Sequence, residues 1–260
     1  MDLLLVERGL ADSRNHAQAL ILAGKVRVNH SPSGKPGDSV SSEVFIEVIK
    51  PFPYVGKGGI KLEKALQVFK IAPEGRVCLD IGASTGGFTD CLLKHGAVKV
   101  YAVDVGKGQL VWSLRQDPRV VCLEKTNARY LTSAEIPEPI SLCVMDVSFI
   151  SVRNILPAVR DFMVSDGGII VLIKPQFEAG RGSTKKGVIR KAETHEKVLN
   201  EMLEWFHRNS FFVQGITHSP VTGADGNIEF FCYLSFRESA KLYDIPFIVE
   251  EAWQKSAGND

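Results

Sequence analysis

The sequence predicts an α/β protein with a mostly parallel sheet, preceded by a small α+β domain. From residue 77 onward, apolar strand-like runs alternate with helical patterns, which is typical of a doubly wound parallel sheet. The last two strand-like runs, 211–217 and 228–236, leave no room for a helix between them. They must therefore form an antiparallel hairpin at the edge of the sheet, joined by a turn that contains Gly223, Asp225, Gly226 and Asn227.

Length and composition fit one large domain and one small one. The 260 residues are 45% hydrophobic and 23% charged with a net charge of +1, so a nucleic-acid surface would have to come from local clusters of cations. The five cysteines are scattered and the six histidines show no metal-ligand spacing with them, so we expect reduced thiols and no metal site. Because no apolar run reaches membrane-spanning length and the start lacks a signal-peptide pattern, we expect no membrane insertion and a cytoplasmic location.

Residues 1–50 form the small domain in this interpretation. A short helix is predicted over residues 3–6, Ser13 is a good N-cap for a second helix, and strands are predicted at 26–29 and 44–49. Residues 4–29 resemble the RNA-binding domain first seen in small-subunit ribosomal protein four: LLVERGLADSRNHAQALILAGKVRVN. That domain places its second helix and a basic turn against RNA. The resemblance implies that RNA is contacted by four basic residues of this segment, Arg8, Arg14, Lys25 and Arg27.

A connector at 51–59 separates the two predicted domains. Two prolines within residues 51–53 exclude regular strand pairing, and three glycines within 56–59 give a flexible approach to a helix at 60–69. We therefore expect the large domain to cover residues 60–260.

The large domain is predicted to contain five strands before the hairpin. These strands are 77–80, 98–103, 119–123, 140–145 and 168–173, with helices at about 87–95, 108–115, 152–163 and 193–208. A parallel sheet that finishes with an antiparallel hairpin is the layout of S-adenosylmethionine-dependent methyltransferases. A dinucleotide dehydrogenase would be expected to end with another crossover helix.

A glycine-rich stretch at 79–88, LDIGASTGGF, predicts a ligand loop between the first of these strands and its helix. An acid just before the first glycine, Asp80, would repel a diphosphate but suits the positively charged methionine end of S-adenosylmethionine. Asp104, after the second strand, is placed to accept hydrogen bonds from ribose hydroxyls, and Asn127 is the expected polar contact to adenine. The predicted cofactor-binding residues are Asp80, Gly82, Ala83, Ser84, Gly86, Gly87, Phe88, Asp104, Asn127 and Asp146.

The methyl acceptor is inferred from the other strand ends. Methylation of a base amine typically uses an Asn/Asp-Pro-Pro turn, but residues 146–149 read DVSF. Methylation of a pyrimidine carbon needs a cysteine near the end of strand four or five, and Cys143 lies inside strand four. A ribose 2′-hydroxyl is a poor acid, so its attack on a sulfonium methyl group benefits from a positioned amine. The residues available for this chemistry are Lys61, Asp146, Lys174 and Glu229.

The large domain as a whole is similar to the TlyA family of hemolysin A-like proteins. The resemblance rests on seven segments: YVGKGGIKLEKAL, LDIGASTGGFTDCLL, DVGKGQLVWSLRQDPRV, KTNAR, MDVSFIS, LIKPQFEAGRG and GNIEFF. It implies a Rossmann-like FtsJ (RrmJ) methyltransferase sheet and 2′-O-methylation of ribosomal RNA, with cytidine as the acceptor. The family's Lys-Asp-Lys-Glu tetrad falls on Lys61, Asp146, Lys174 and Glu229; the pattern makes Lys174 the central amine, tuned by Asp146 and Glu229, while Lys61 orients the ribose.

A second basic cluster follows the fifth strand. Six basic residues face one acid across 174–191, and at the mouth of the site they could hold an RNA backbone. We expect RNA contacts from Arg181, Lys185 and Lys186, and ribosomal subunits as partners. Two alternatives stay open: an RNA-binding protein with an inactive methyltransferase domain, and a membrane-lytic protein, which the lack of a membrane span, export signal or amphipathic cationic helix disfavours.

Overall fold

A computed structural model describes residues 1–49, 53–179 and 187–257. The chain divides into two compact units, Met1–Phe52 and Pro53–Asp260. This division falls inside the connector expected from the prolines and glycines of residues 51–59.

The first unit is a small α+β fold. Helices α1 (Asp2–Glu7) and α2 (Arg14–Leu22) precede strands β1 (Val26–Val28), β2 (Ser31–Pro32) and β3 (Ile46–Val48). The strands form an antiparallel sheet in the order β2-β1-β3. Ser13 caps α2 by accepting a hydrogen bond from the His16 amide at 3.2 Å. Ala17 and Ile21, one helical turn apart, bury the inner face of α2.

The second unit is built on a seven-stranded sheet. Its strands are β4 (Val77–Ile81), β5 (Lys99–Val103), β6 (Val120–Leu123), β7 (Ile140–Met145), β8 (Met163–Ile173), β9 (Phe212–His218) and β10 (Phe230–Ser235). Their order is β6-β5-β4-β7-β8-β10-β9; the first five are parallel, and β10 is antiparallel to both of its neighbours. The predicted fold class is confirmed: a mostly parallel sheet that ends in an antiparallel hairpin, preceded in the sequence by a small α+β domain.

Helices cover both faces of this sheet. They are α3 (Lys57–Phe69), α4 (Gly87–Lys94), α5 (Trp112–Arg115), α6 (Leu156–Arg160), α7 (Pro175–Glu178), α8 (Ala192–Arg208) and α9 (Ile245–Ala257). Adjacent residues of a strand point to opposite faces, so the two halves of the core alternate along each strand. Leu79 packs in the same cluster as Phe206 of α8, whereas Cys78 packs in the cluster of Leu62 of α3.

Some predicted element bounds were wrong. The helix expected at 108–115 begins only at Trp112, because the Glu124 carboxylate accepts hydrogen bonds from the amides of residues 108–110 and holds them in a loop. The helix expected at 152–163 breaks into a 3₁₀ turn, Val152–Asn154, followed by the short α6. Strand β8 starts at Met163 rather than at 168, since Met163 already pairs with Ile140.

Candidate active site

The glycine-rich loop lies where three strand ends meet. The Gly82 amide donates to the Val103 carbonyl at 2.9 Å, and the Asp146 amide donates to the Ile81 carbonyl at the same distance. Gly82 has φ +83°, and a Cβ there would lie 2.1 Å from the backbone oxygen of Asp146. Only glycine fits this position, because it allows the left-handed conformation and leaves room for the neighbouring chain.

A cavity of about 530 Å³ opens beside this loop. Asp104 lies in its wall and is held by backbone amides: its carboxylate accepts from Ser84 at 2.8 Å and from Gly106 at 2.7 Å. Asn127 accepts from the amide of Arg129 at 3.1 Å. The lining combines these polar groups with apolar side chains: Ile81, Gly82, Ser84, Val103, Asp104, Val105, Gln109, Thr126, Asn127, Ala128, Asp146, Val147, Ser148, Phe149, Ile150 and Ile155.

A smaller cavity of about 140 Å³ shares three lining residues with the first: Gly82, Ser84 and Asp146. It is bounded by the starts of α3 and α4, which approach closely: a Cβ on Gly87 would lie 3.1 Å from the Cα of Gly58. Its lining residues are Gly56, Lys57, Gly58, Gly82, Ala83, Ser84, Thr85, Gly87, Phe88 and Asp146.

Two of the predicted cofactor residues line neither cavity. Asp80 is fully buried within the sheet, and its Oδ2 accepts from the hydroxyl of Thr89 at 2.6 Å. Burial raises the pKa of Asp80 to about 7. Gly86 has φ +102°, and a Cβ there would lie 2.2 Å from the side chain of Leu114. The structure thus places Asp80 and Gly86 behind the walls, where they shape the loop.

The four predicted tetrad residues form two ion pairs. Lys61 of α3 lies 2.6 Å from Glu229, which immediately precedes β10. Lys174, directly after β8, lies 2.7 Å from Asp146, which follows β7. Because Asp146 also lines both cavities, the second ion pair is continuous with the pocket around the glycine-rich loop.

The two pairs differ in the burial of their carboxylates, since the side chain of Asp146 is 21% exposed. The side chain of Glu229 is 2% exposed and that of Lys61 is 10% exposed. Burial raises the pKa of Glu229, while the ammonium groups of Lys61 and Lys174 lower it, so Glu229 feels both lysines of the tetrad. Removing one partner of so buried a pair leaves the other charge uncompensated, which costs roughly 3–5 kcal/mol.

Ser148 was missed by the sequence-based prediction. Its hydroxyl accepts a hydrogen bond from the Lys174 amine at 2.8 Å and so fixes that amine together with Asp146. The signal was available, because Ser148 lies two residues after Asp146 in the MDVSFIS segment. Gln109 and Phe149, which line the larger cavity, were missed as well.

The basic residues predicted to contact RNA in the first unit differ in their surroundings. Arg8 donates to the backbone oxygens of Ser42 and Val44, and Arg14 pairs with Asp2 at 2.8 Å. Arg27 is exposed on β1, with Lys25 directly before that strand. The three other predicted RNA contacts, Arg181, Lys185 and Lys186, lie outside the described residues.

The described residues contain neither a metal-ligand cluster nor a membrane-spanning helix. Within residues 1–49, 53–179 and 187–257, no three His, Cys, Asp or Glu side chains are grouped as metal ligands would be. In the same ranges no helix has the length and apolarity needed to cross a membrane.

Comparison with known families identifies the second unit. Residues 54–236 match the family model of the FtsJ-like methyltransferases, which covers more than half of the chain. The chain belongs to the FtsJ-like methyltransferase family. Residues 2–46 match the S4 domain, so the resemblance of the first unit to an RNA-binding module is confirmed.

Several relatives match this FtsJ-like chain over most of its length. It is 45% identical to a Bacillus subtilis protein provisionally named rRNA methyltransferase YqxC, over 97% of this chain and 93% of that protein. It is also 45% identical to the 16S/23S rRNA (cytidine-2′-O)-methyltransferase TlyA of Mycobacterium tuberculosis, over 90% of this chain and 88% of that protein. A solved structure from Streptococcus thermophilus, provisionally named a hemolysin, is 40% identical with a TM-score of 0.78 and covers 99% of this chain and 96% of that one. The predicted TlyA resemblance is thereby confirmed.

Proposed function

We propose that this FtsJ-like methyltransferase transfers a methyl group from S-adenosylmethionine to a ribose 2′-hydroxyl of ribosomal RNA, with cytidine as the acceptor nucleotide. The observation that carries the proposal is the position of Asp146. Asp146 lines the cavities around the glycine-rich loop and pairs with Lys174. The proposed pocket for the methyl donor and the lysine that would accept the hydroxyl proton therefore meet at this residue. The TlyA relative named above supports the choice of reaction and acceptor.

The two cavities fit S-adenosylmethionine in size and chemistry. A volume of about 530 Å³ lies within the range of small-molecule pockets, and its apolar walls suit an adenine ring. Each oxygen of the Asp104 carboxylate keeps a free lone pair after accepting one backbone amide, so both can accept ribose hydroxyls. We assign the adenosine part to this cavity, next to Asn127, and the methionine part to the smaller one, between Gly82 and Gly87.

The bound cofactor would supply an electrophilic methyl group on a positively charged sulfur. The residues of this chain would hold the acceptor ribose and take up the proton of its 2′-hydroxyl as the oxygen is methylated. Lys174 would accept that proton as the neutral amine, so its side chain must first release its ammonium proton to solvent. Asp146 and Ser148 fix that amine at 2.7 and 2.8 Å, which aligns it for a single direction of approach. By the family pattern, Lys61, held by its buried pair with Glu229, would orient the ribose.

The first unit supplies RNA affinity in this proposal. An S4 domain with exposed cations such as Arg27 suits the phosphate backbone of a structured RNA, since phosphate contacts contribute much of the binding free energy. We propose ribosomal subunits as the partners and the cytoplasm as the place of action. From the sequence, Arg181, Lys185 and Lys186 remain proposed as further RNA contacts.

The decisive test is Lys174→Ala. Methyl transfer from labelled S-adenosylmethionine to ribosomal RNA should fall by about 10²–10⁴-fold, the usual contribution of a positioned general base. Calorimetry should show unchanged cofactor affinity, because Lys174 lines neither cavity. The matched control is Lys197→Ala, which removes a lysine of α8 that is 76% exposed, and it should leave transfer unchanged.

Three outcomes separate this proposal from its rivals. Full activity of Lys174→Ala would overturn the proposed mechanism. Cofactor binding without transfer by the unchanged protein would support the inactive-domain alternative. Lysis of erythrocytes by purified Lys174→Ala protein would instead revive a membrane-lytic activity.

A further inference from the structure

Two segments that carry the proposed catalytic residues lie side by side along their whole length. The first is residues 146–152, after β7, and the second is residues 174–178, which contain α7; we call them the paired segments. They are joined at one end by Asp146 and Lys174 at 2.7 Å. In the middle the rings of Phe149 and Phe177 have centroids 5.0 Å apart.

Glu178 joins the other end of the paired segments. Its carboxylate accepts hydrogen bonds from the hydroxyl of Ser151 and from the backbone amide of Val152, the latter at 2.8 Å. Its Oε2 lies 3.9 Å from Arg153, whose Nε is in turn 3.0 Å from the sulfur of Met202 on α8. The Glu178 side chain is 2% exposed, although it is the last residue of the four-residue helix α7.

The burial of Glu178 calls for an explanation. A buried carboxylate is unfavourable unless it is well hydrogen-bonded, and burial does raise the pKa of Glu178 while Ser151, Val152 and Arg153 lower it. The proposed methyl transfer does not use this carboxylate: it lines neither cavity and belongs to neither ion pair of the tetrad.

The shortness of α7 explains why a buried carboxylate is needed at Glu178. Helix α7 has four residues, and so short a helix is not stable by its own hydrogen bonds. Lys174 is its N-cap residue, and no side chain accepts a capping hydrogen bond from the first turn of α7. The position of the Lys174 amine therefore depends on side-chain contacts that hold α7 against residues 146–152, and Glu178 makes the most buried of them.

We propose that Glu178 is a positioning residue for methyl transfer: it locks α7 to Ser151 and Val152 and thereby sets the Lys174 amine against Asp146 and Ser148. This inference rests on the proposed function, in which Lys174 is the acceptor of the hydroxyl proton. A displacement of about 1 Å at a reacting group can lower a rate by about 10²-fold, so loss of this lock acts on the chemical step rather than on binding.

The test compares Glu178→Ala and Glu178→Gln with a matched control, Glu138→Ala. Glu138 also accepts two side-chain hydrogen bonds, from Lys99 and Tyr101 at 2.6 Å each, but it lies before β7, at the end of the sheet away from the tetrad. We expect Glu178→Ala to lower kcat by about 10–10²-fold, with the KM for RNA and the Kd for S-adenosylmethionine changed by less than about 2-fold. Glu178→Gln keeps one acceptor oxygen and should recover part of kcat.

A second readout does not need activity. Acetylation by N-hydroxysuccinimidyl acetate, followed by mass spectrometry, gives the reactivity of Lys174 relative to the exposed Lys197. The Lys174 side chain is 13% exposed in its pair with Asp146, so it should react slowly in the unchanged protein and several-fold faster in Glu178→Ala.

The outcomes are separable. Unchanged kcat and unchanged Lys174 acetylation in Glu178→Ala would overturn the positioning role. An equal loss of kcat in Glu138→Ala at a similar Tm would also overturn it, because the effect would then follow stability alone. Absence of methyl transfer by the unchanged protein, with Lys174 acetylation still raised in Glu178→Ala, would overturn the proposed function and leave the lock in place.

Discussion

Gly82→Ala is the substitution whose cost can be worked out most directly from the structure. The new Cβ would lie 2.1 Å from the backbone oxygen of Asp146, whereas such contacts are essentially never below 3.0 Å, so that oxygen must move by about 1 Å. A side chain could rotate away, but a backbone oxygen cannot. The displacement of Asp146 would also displace the Lys174 amine that pairs with it. A shift of this size at a reacting group corresponds to about a 10²-fold loss of kcat.

Gly75→Ala is the matched control for backbone conformation. Gly75 has φ +70°, close to the +83° of Gly82, but a Cβ there meets no atom within 4 Å. Both substitutions place an L-residue in the left-handed region, at roughly 1–2 kcal/mol. For a domain of this size that lowers Tm by about 2–4 °C per kcal/mol. Any loss of kcat in Gly82→Ala beyond that in Gly75→Ala therefore reports the displacement of Asp146.

The assay measures kcat for the transfer of labelled methyl groups to a ribosomal RNA fragment under multiple-turnover conditions, together with Tm by calorimetry. Gly75→Ala should keep kcat within about 2-fold of the unchanged protein, and Gly82→Ala should lose about 10²-fold. If the two variants differed in kcat by less than about 3-fold, the close approach of the glycine-rich loop to Asp146 would not matter for the reaction.

Two further predictions concern pH and RNA. Burial raises the pKa of Asp80 from 3.8 to about 7, so its contribution to stability is complete below about pH 4 and is lost as the pH rises through 7. Urea unfolding should therefore show a free energy of unfolding that declines between about pH 4 and 7 more steeply than in Asp80→Asn; parallel profiles would contradict this. In the first unit, Lys25→Ala combined with Arg27→Ala should weaken RNA binding and reduce the slope of log K against log salt by about 1–2. Lys197→Ala with Arg208→Ala, which removes the same charge from exposed positions of α8, should leave that slope unchanged, and equal slopes in the two double variants would count against the role of the first unit.

The parts of the fold that could be predicted are those with a strong local signal. Strand β7 coincides with its predicted range, 140–145, because it is buried on both faces and reads as a continuous apolar run. The meeting of Asp146 and Lys174 also follows from the pattern, since the carboxyl ends of adjacent parallel strands share one edge of the sheet.

Other features depend on residues far apart in the sequence. The loop at 108–110 could not be distinguished from a helix start, because the carboxylate that holds it, Glu124, belongs to a segment more than ten residues later. The interior position of Asp80 could not be predicted either, because it also depends on residues distant in the sequence. Its place before the first glycine suggests a wall of the pocket, but the side of the strand on which it lies is set by the pairing of β4 with β5 and β7. Helix α9 was not predicted, although Ile245, Val249 and Ala252 bury one of its faces.

The insertion of β10 between β8 and β9 has a consequence for how the protein is made. Lys61 and its partner Glu229 are 168 residues apart, so their ion pair closes only after nearly the whole second unit has left the ribosome. Until then one edge of β8, where residues 169–173 later pair with β10, has no partner strand. That edge is open to association with other chains. During synthesis the glycine-rich loop at 79–88 is therefore made long before Glu229, the last residue of the tetrad. Synthesis from the N-terminus thus delays the catalytic arrangement until the last strand is in place.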